Sequence, residues 1–285
     1  MSSGPLFLGL AVVFSSGVAL TLKAADQPGI HSGQLLALNY LVCTVTVLAW
    51  GGWTSLAANT PLLWALSGLI GAFYVLSLWL FHRAIAAEGV ALSTTLMRLS
   101  AALPTLGSLL LFSEPAAPVK LAGITLAFLA LPLASRKPIR LAALGDEKAR
   151  GVLWGLLLFA VYGITDFIFK IQAEVAPGAD PKAFMTGIFG TALLLTLPRL
   201  WIGPRLTRKG LLAGLVLGST NMLATYFWIL ALSLIPGSAA YPTLALGVIA
   251  VSTLAGLIFW RETLRPANYL FLALCSLAVV LIHSG

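Results

Sequence analysis

The sequence predicts an all-α membrane protein of ten transmembrane helices, arranged as two inverted five-helix repeats. Three observations carry that prediction. Hydrophobic residues make up 59% of the 285-residue chain and charged residues only 9%, at a mean hydropathy of +0.99. A soluble domain carries about 25% charged residues, so a soluble chain this poor in charge could not cover its surface. Ten apolar runs approach the ~20 residues that a bilayer crossing needs. The chain also repeats itself. Residues 88–121 read EGVALSTTLMRLSAALPTLGSLLLFSEPAAPVKL, and 148 positions on it reads PGSAAYPTLALGVIAVSTLAGLIFWRETLRPANY.

The runs follow in order. The first, 5–23, starts at Pro5 with no basic segment ahead of it, so it reads as a span rather than a removable signal. Gln27-Pro28-Gly29 separates it from the second, 34–53, and Asn59-Thr60-Pro61 opens the third, 61–81. The fourth, 90–112, is stopped by Ser113-Glu114-Pro115, and the fifth is 119–134. Residues 135–150, SRKPIRLAALGDEKAR, form the one long hydrophilic linker and divide the chain into a first repeat, 1–134, and a second, 151–285. The second repeat holds 152–171, 184–202, 211–234, 238–260 and 269–283, with breakers at Pro177-Gly178 and Ile235-Pro236-Gly237. Glycines inside the runs, such as Gly17, Gly163, Gly190, Gly218 and Gly247, suit close packing and bending.

The internal match extends along the chain. At an offset of 148, Gly89 falls on Gly237, Ala91 on Ala239, Phe112 on Trp260, Glu114 on Glu262 and Pro118 on Pro266. At 147, Gly4 falls on Gly151, Leu6 on Leu153 and Lys23 on Lys170. Five spans per repeat is an odd number, so the second copy must run through the membrane upside down, the layout of many secondary transporters. Positive charge sets the orientation. The odd-numbered connections hold Lys23, Arg83, Arg136, Lys137, Arg140, Lys148, Arg150, Arg199, Arg205, Arg208, Lys209, Arg261 and Arg265; the even ones hold Lys120, Lys170 and Lys182. That split of 13 to 3 predicts cytoplasmic odd connections and outward-facing termini.

The net charge of +8 comes from residues in short gaps between apolar runs, which points to cytoplasmic loops rather than nucleic acid. Cys43 and Cys275 each lie inside an apolar run and read as small buried hydrophobes. His31, His82 and His283 are far apart and make no metal set. Gly-Xaa-Ser-Xaa-Gly, Walker and His-Glu-Xaa-Xaa-His motifs are absent, which argues against a hydrolase and an ATP-driven pump.

Ionisable groups deep in a span are costly, and they normally face a cavity or a partner. Arg98 lies near the middle of the fourth run, on a stripe with Thr94 or Thr95 and Thr105. It either binds an anionic substrate group through its planar fork or pairs with Asp166 or backbone carbonyls. Leu246 stands at its repeat position, so the charge breaks the symmetry. Asp166 either pairs with Lys170, four residues on, or carries a coupling proton. Lys23 and Lys170 either snorkel to headgroups or gate the two mouths of the site. Glu114 and Glu262 read as helix caps. Among the polar and aromatic residues, Asn39, Tyr40, Tyr74, Trp79, His82, Tyr226 and Trp228 suit packing or interfacial belts. Asn221 is the better site candidate, because a buried amide needs partners. The candidate substrate site is thus Arg98, Thr94, Thr105, Asn221 and Tyr241, with Asp166, Lys170 and Lys23 as coupling or gating candidates.

Ten spans, two repeats and small-residue helices ending in Leu111-Phe112-Ser113-Glu114-Pro115 and Phe259-Trp260-Arg261-Glu262-Thr263 resemble the drug/metabolite transporter superfamily, EamA type. The helix-centre proline of that pattern is present as Pro104 and replaced by Ser252 in the second copy. The resemblance implies a basket of helices around a central cavity, walled by spans one, three, four, six, eight and nine. It also implies transport of a small polar metabolite, carboxylate- or phosphate-bearing if Arg98 takes part. Many members have cytoplasmic termini, whereas the charge count here predicts the reverse. The implied partners are a small-molecule substrate and the lipid bilayer, with no nucleic acid, cofactor or metal, as a monomer or homodimer in a bacterial inner membrane. The rival classes are a membrane-embedded enzyme acting on lipid, and a non-transporting scaffold or channel. The 9 acidic residues are too scattered to favour the enzyme.

Overall fold

The structure is a computed structural model, and it describes residues 3–51, 54–57, 59–88, 90–131, 146–202, 206–261 and 266–284. The described residues are helical, with no strand among them. In order the helices are α1 (Gly4–Ala24), α2 (Ser32–Gly51), α3 (Thr54–Ala57), α4 (Pro61–Glu88), α5 (Val90–Leu99), α6 (Ala102–Leu110), α7 (Pro118–Ala130), α8 (Asp146–Val175), α9 (Pro181–Thr196), α10 (Arg208–Leu232), α11 (Gly237–Trp260) and α12 (Pro266–Ser284), with a 3₁₀ turn at Leu197–Leu200. Seven described helices are long and apolar enough to cross a membrane. Large apolar side chains stand outward, with Leu110 76%, Leu194 72% and Phe259 74% exposed. Water would penalise such a surface, whereas lipid solvates it. This is an integral membrane protein.

The helix starts follow local chemistry. Pro118 and Pro181 lie in the first turn of α7 and α9, where a missing N–H costs nothing. The Asp180 carboxylate accepts from Lys182 N–H at 3.0 Å, and the Thr207 hydroxyl accepts from Gly210 N–H at 3.1 Å. The last five residues of the expected linker, 146–150, already belong to α8; the rest of it lies outside the described residues.

The fourth expected span is not one helix. It is split at Ser100–Ala101 into α5 and α6. Pro104 is the cause. It has no N–H to give the carbonyl of Ser100, four residues back, and its ring crowds that carbonyl. Leu103 N–H takes Ser100 O instead, at 3.0 Å, in a tighter turn. α11, with Ser252 at the corresponding place, runs unbroken through that position.

Two compact units emerge: Met1–Val75 with Ile171–Leu234, and Leu76–Lys170 with Ile235–Gly285. Each therefore takes helices from both halves of the sequence. In the first unit α10 packs on α1 and α2, and α2 packs on α9. A Cβ added to Gly218 would lie 2.6 Å from Val42 Cβ and 2.8 Å from Asn39 O, so only glycine lets α10 approach α2 this closely. Gly190, by contrast, has open space at its Cβ position. In the second unit α7 packs on α12 and α11 packs on α6, α7 and α12. Their core includes Ile124, Ala127, Leu131, Leu246, Phe271, Cys275 and Ile282. Leu246, the repeat counterpart of Arg98, is thus an apolar core residue. Cys43 and Cys275 are both buried free thiols.

Candidate functional site

The break in the fourth span sets the position of Arg98. It falls in the last turn of α5, where unsatisfied carbonyls and the negative end of the helix favour a cation. The side chain is half-buried. It lies in electrostatic range of Tyr162 and Asp166 on α8. Tyr162, Asp166 and Lys170 recur every four residues, so they share one face of that helix. This polar stripe lies entirely within the second compact unit.

Further along the same stripe, Tyr241 of α11 donates its hydroxyl to the backbone carbonyl of Asp166 at 2.6 Å. The backbone N–H of Lys170 also hydrogen-bonds that hydroxyl. A phenol is therefore seated between the two ends of one helical hydrogen bond, fixing α11 against α8 at Asp166. Lys170 is 3% exposed and forms an ion pair with Glu114 at 2.7 Å. Its ammonium also sits 5.4 Å above the ring of Phe112.

Glu114 comes from the connection between α6 and α7. Its carboxylate accepts from Gly237 N–H at 2.7 Å, from Ser238 N–H at 2.8 Å and from the Ser238 hydroxyl. The residue at the N-cap of α11 is Pro236, which offers no side-chain cap, so Glu114 caps a helix distant in sequence. Glu114 is thus a helix cap, and the helix it caps is α11. Burial alone would raise the Glu114 carboxyl, but the hydrogen bonds from Lys170 and Ser238 outweigh it and hold the group below its ordinary value. Ser113, just before it, adopts a left-handed backbone at φ 50°. Lys120 of α7, 5% exposed, donates to Pro115 O at 3.0 Å and lies in electrostatic range of Glu114 and Lys170. Glu262 lies outside the described residues.

Arg98, Asp166, Lys170 and Tyr241 are thus brought into one unit. The hydroxyl of Thr105 is fully buried and bonds Ala101 O at 2.7 Å, spanning the start of α6. Thr94 is on α5, but its side chain lies outside the described residues. Asn221 belongs to the first unit, where its amide donates to Asn39 Oδ1 at 3.2 Å. The Cys43 thiol donates to Gly218 O at 3.2 Å beside that pair, so the amides tie α2 to α10. Lys23 is exposed in the last turn of α1. Hydropathy and charge do not single out Tyr162, whose four-residue spacing from Asp166 is the available signal. Nor do they reveal the Glu114–Lys170 pair, which no local spacing announces.

Residues 149–284 match the EamA-like transporter family. This stretch of the chain is similar to EamA-like transporters. The resemblance to the drug/metabolite transporter superfamily is borne out over those residues. An uncharacterised protein of Haemophilus influenzae is 26% identical over 275 residues, covering 91% of each chain. A crystal structure superposes at a TM-score of 0.80 with 18% identity, over 99% of this chain and 96% of that one, which shows a shared fold. The EamA-like segment holds Tyr162, Asp166, Lys170, Ser238 and Tyr241, while Arg98 and Glu114 come from the half before it. The family is one of membrane transporters, not enzymes.

Proposed function

We propose that this protein is a secondary active transporter of a small polar metabolite bearing a carboxylate or phosphate, working by alternating access. The chain then crosses the membrane ten times as two inverted five-helix repeats, 1–134 and 151–285, around a central cavity, in a bacterial inner membrane. Seven long apolar helices and three shorter apolar segments, Leu96–Leu110, Pro118–Ala130 and Tyr269–Ser284, support ten crossings. Among the described residues, the two non-glycine residues with left-handed backbone are Ser113 and Arg261. They are 148 positions apart, the offset at which the two sequence copies align, and this supports the repeat.

The observation that carries the functional reading is Arg98 at the broken end of α5, within reach of Asp166's charge. Broken helices in transporters leave backbone dipoles and side chains free to hold a ligand at mid-membrane. An arginine there costs at least ~2.5 kcal/mol by insertion scales unless water, a counter-charge or a ligand meets it. With Asp166 ionised, the two charges balance. With Asp166 protonated, Arg98 is left to bind an anion through its planar fork. Proton and anionic substrate then bind together and leave together, which couples flux to the proton gradient. Lys170 and Lys23, at equivalent repeat positions, act at the two mouths. Thr94, Thr105, Asn221 and Tyr241 remain proposed contributors to substrate contact. Reconstitution in liposomes tests this: uptake of anionic metabolites should accelerate when a proton gradient is imposed. Flux indifferent to any gradient would favour a channel, and turnover of a lipid would favour an enzyme.

A further inference from the structure

The surroundings of Glu114 have the makings of a carboxylate receptor that is filled by the chain's own side chain. Four donors converge on it: Gly237 N–H, Ser238 N–H, the Ser238 hydroxyl and the Lys170 ammonium. The first two open α11, a 24-residue helix whose positive end adds to the pull on an anion. Three further features exceed what capping requires. Lys120 places a second buried lysine in electrostatic range of Glu114, beside Lys170. The hydroxyl of Ser108 is fully buried, has no hydrogen-bond partner, and is directed at Gly237, where it would meet any Cβ built there. Finally, Ser113, next to Glu114, holds a left-handed backbone, a conformation that L side chains disfavour.

A plain cap needs neither the extra positive charge nor the idle hydroxyl. We propose that this cradle is a binding site for the carboxylate of a small organic acid, and that Glu114 is a tethered occupant which a free carboxylate can replace. The replacement keeps the charge balance, since one carboxylate leaves the donors and another arrives. Gly237 and Ser238 N–H, the Ser238 hydroxyl and Lys170 would hold the newcomer, and Ser108 would supply a further donor. The site differs from Arg98 in position and in residues. Binding to it does not depend on the transport reading, so either idea can fail alone.

The test uses the full-length protein in detergent, with formate as the probe because it is a carboxylate with little else attached. Glu114→Ala removes the tethered occupant, and Glu114→Gln keeps an acceptor for one of the two N–H groups while losing the charge. At about ten times its dissociation constant, formate should raise the melting midpoint of each variant by roughly 3–6 °C. The rise should saturate, should be smaller in the wild type, where Glu114 competes, and should not occur with chloride at matched ionic strength. Adding Ser238→Ala to Glu114→Gln should reduce it. If Glu114→Ala yields no folded protein, the comparison of Glu114→Gln with wild type decides the matter alone. Equal shifts in wild type and Glu114→Gln, or the same shift with chloride, would overturn the proposal.

Discussion

Changing Glu114 to Gln should destabilise the protein mainly through what it leaves behind. Lys170 is 3% exposed, and Glu114 supplies its anionic partner at 2.7 Å. Removing one member of a buried pair typically costs about 3–5 kcal/mol, because the remaining charge is stranded away from water. Gly237 N–H and Ser238 N–H bond different carboxylate oxygens, so the single carbonyl of Gln serves only one of them and the expected loss spans that whole range. At roughly 2–4 °C per kcal/mol, the melting midpoint should fall by roughly 6–20 °C. Lys170→Met should cost less, since the Glu114 carboxylate keeps three donors from α11. The double variant should be more stable than the two single losses add up to, with a coupling of about 1–3 kcal/mol in a double-mutant cycle. The sign of the pH effect follows from the depressed Glu114 carboxyl. Its stabilisation is fully present above the ordinary value of 4.5 and is lost as pH falls through the lower folded value. The gap in midpoint between wild type and Glu114→Gln should therefore be flat above about pH 5 and close below it. Additive single losses, or a gap that widens in acid, would refute the pairing argument.

Two further predictions concern orientation and coupling. A reporter active only in the cytoplasm should work when placed between Arg136 and Lys148 and be silent after Gly285, given the 13-to-3 charge split; the opposite pair of results would restore the commoner family orientation. Asp166→Asn should abolish gradient-driven flux yet leave substrate exchange running, whereas undiminished driven flux would remove Asp166 from the coupling step.

Much of the fold was legible because burial in lipid demands long apolar runs, and these leave an unambiguous record. The run at 5–23 became Gly4–Ala24, and that at 269–283 became Pro266–Ser284. The break between α5 and α6 was written in the sequence as well. Pro104 disrupts a helix four residues before itself, but reading 90–112 by hydropathy alone joins what the backbone separates. The site was legible in part. Arg98 and Asp166 stand out because charge is rare in a span, and their mutual influence spans two helices. Spacing suggests that Lys170 answers Asp166 along α8, or snorkels to headgroups. In the structure it is buried and pairs with Glu114, 56 positions away (170 − 114), a partner that only tertiary packing selects.

The central claim is that Arg98 holds the anionic group of a transported substrate. Its most direct test is equilibrium binding of small carboxylates and phosphates to purified wild type, Arg98→Lys and Arg98→Gln, once each variant has been shown to fold and insert. The account predicts that Arg98→Gln loses anion binding by about tenfold or more, the equivalent of ~1.4 kcal/mol or greater. Arg98→Lys should fall between, keeping the charge and losing the fork. Undiminished binding by Arg98→Gln, or a substrate that proves to be a simple cation bound equally well by all three, would contradict it.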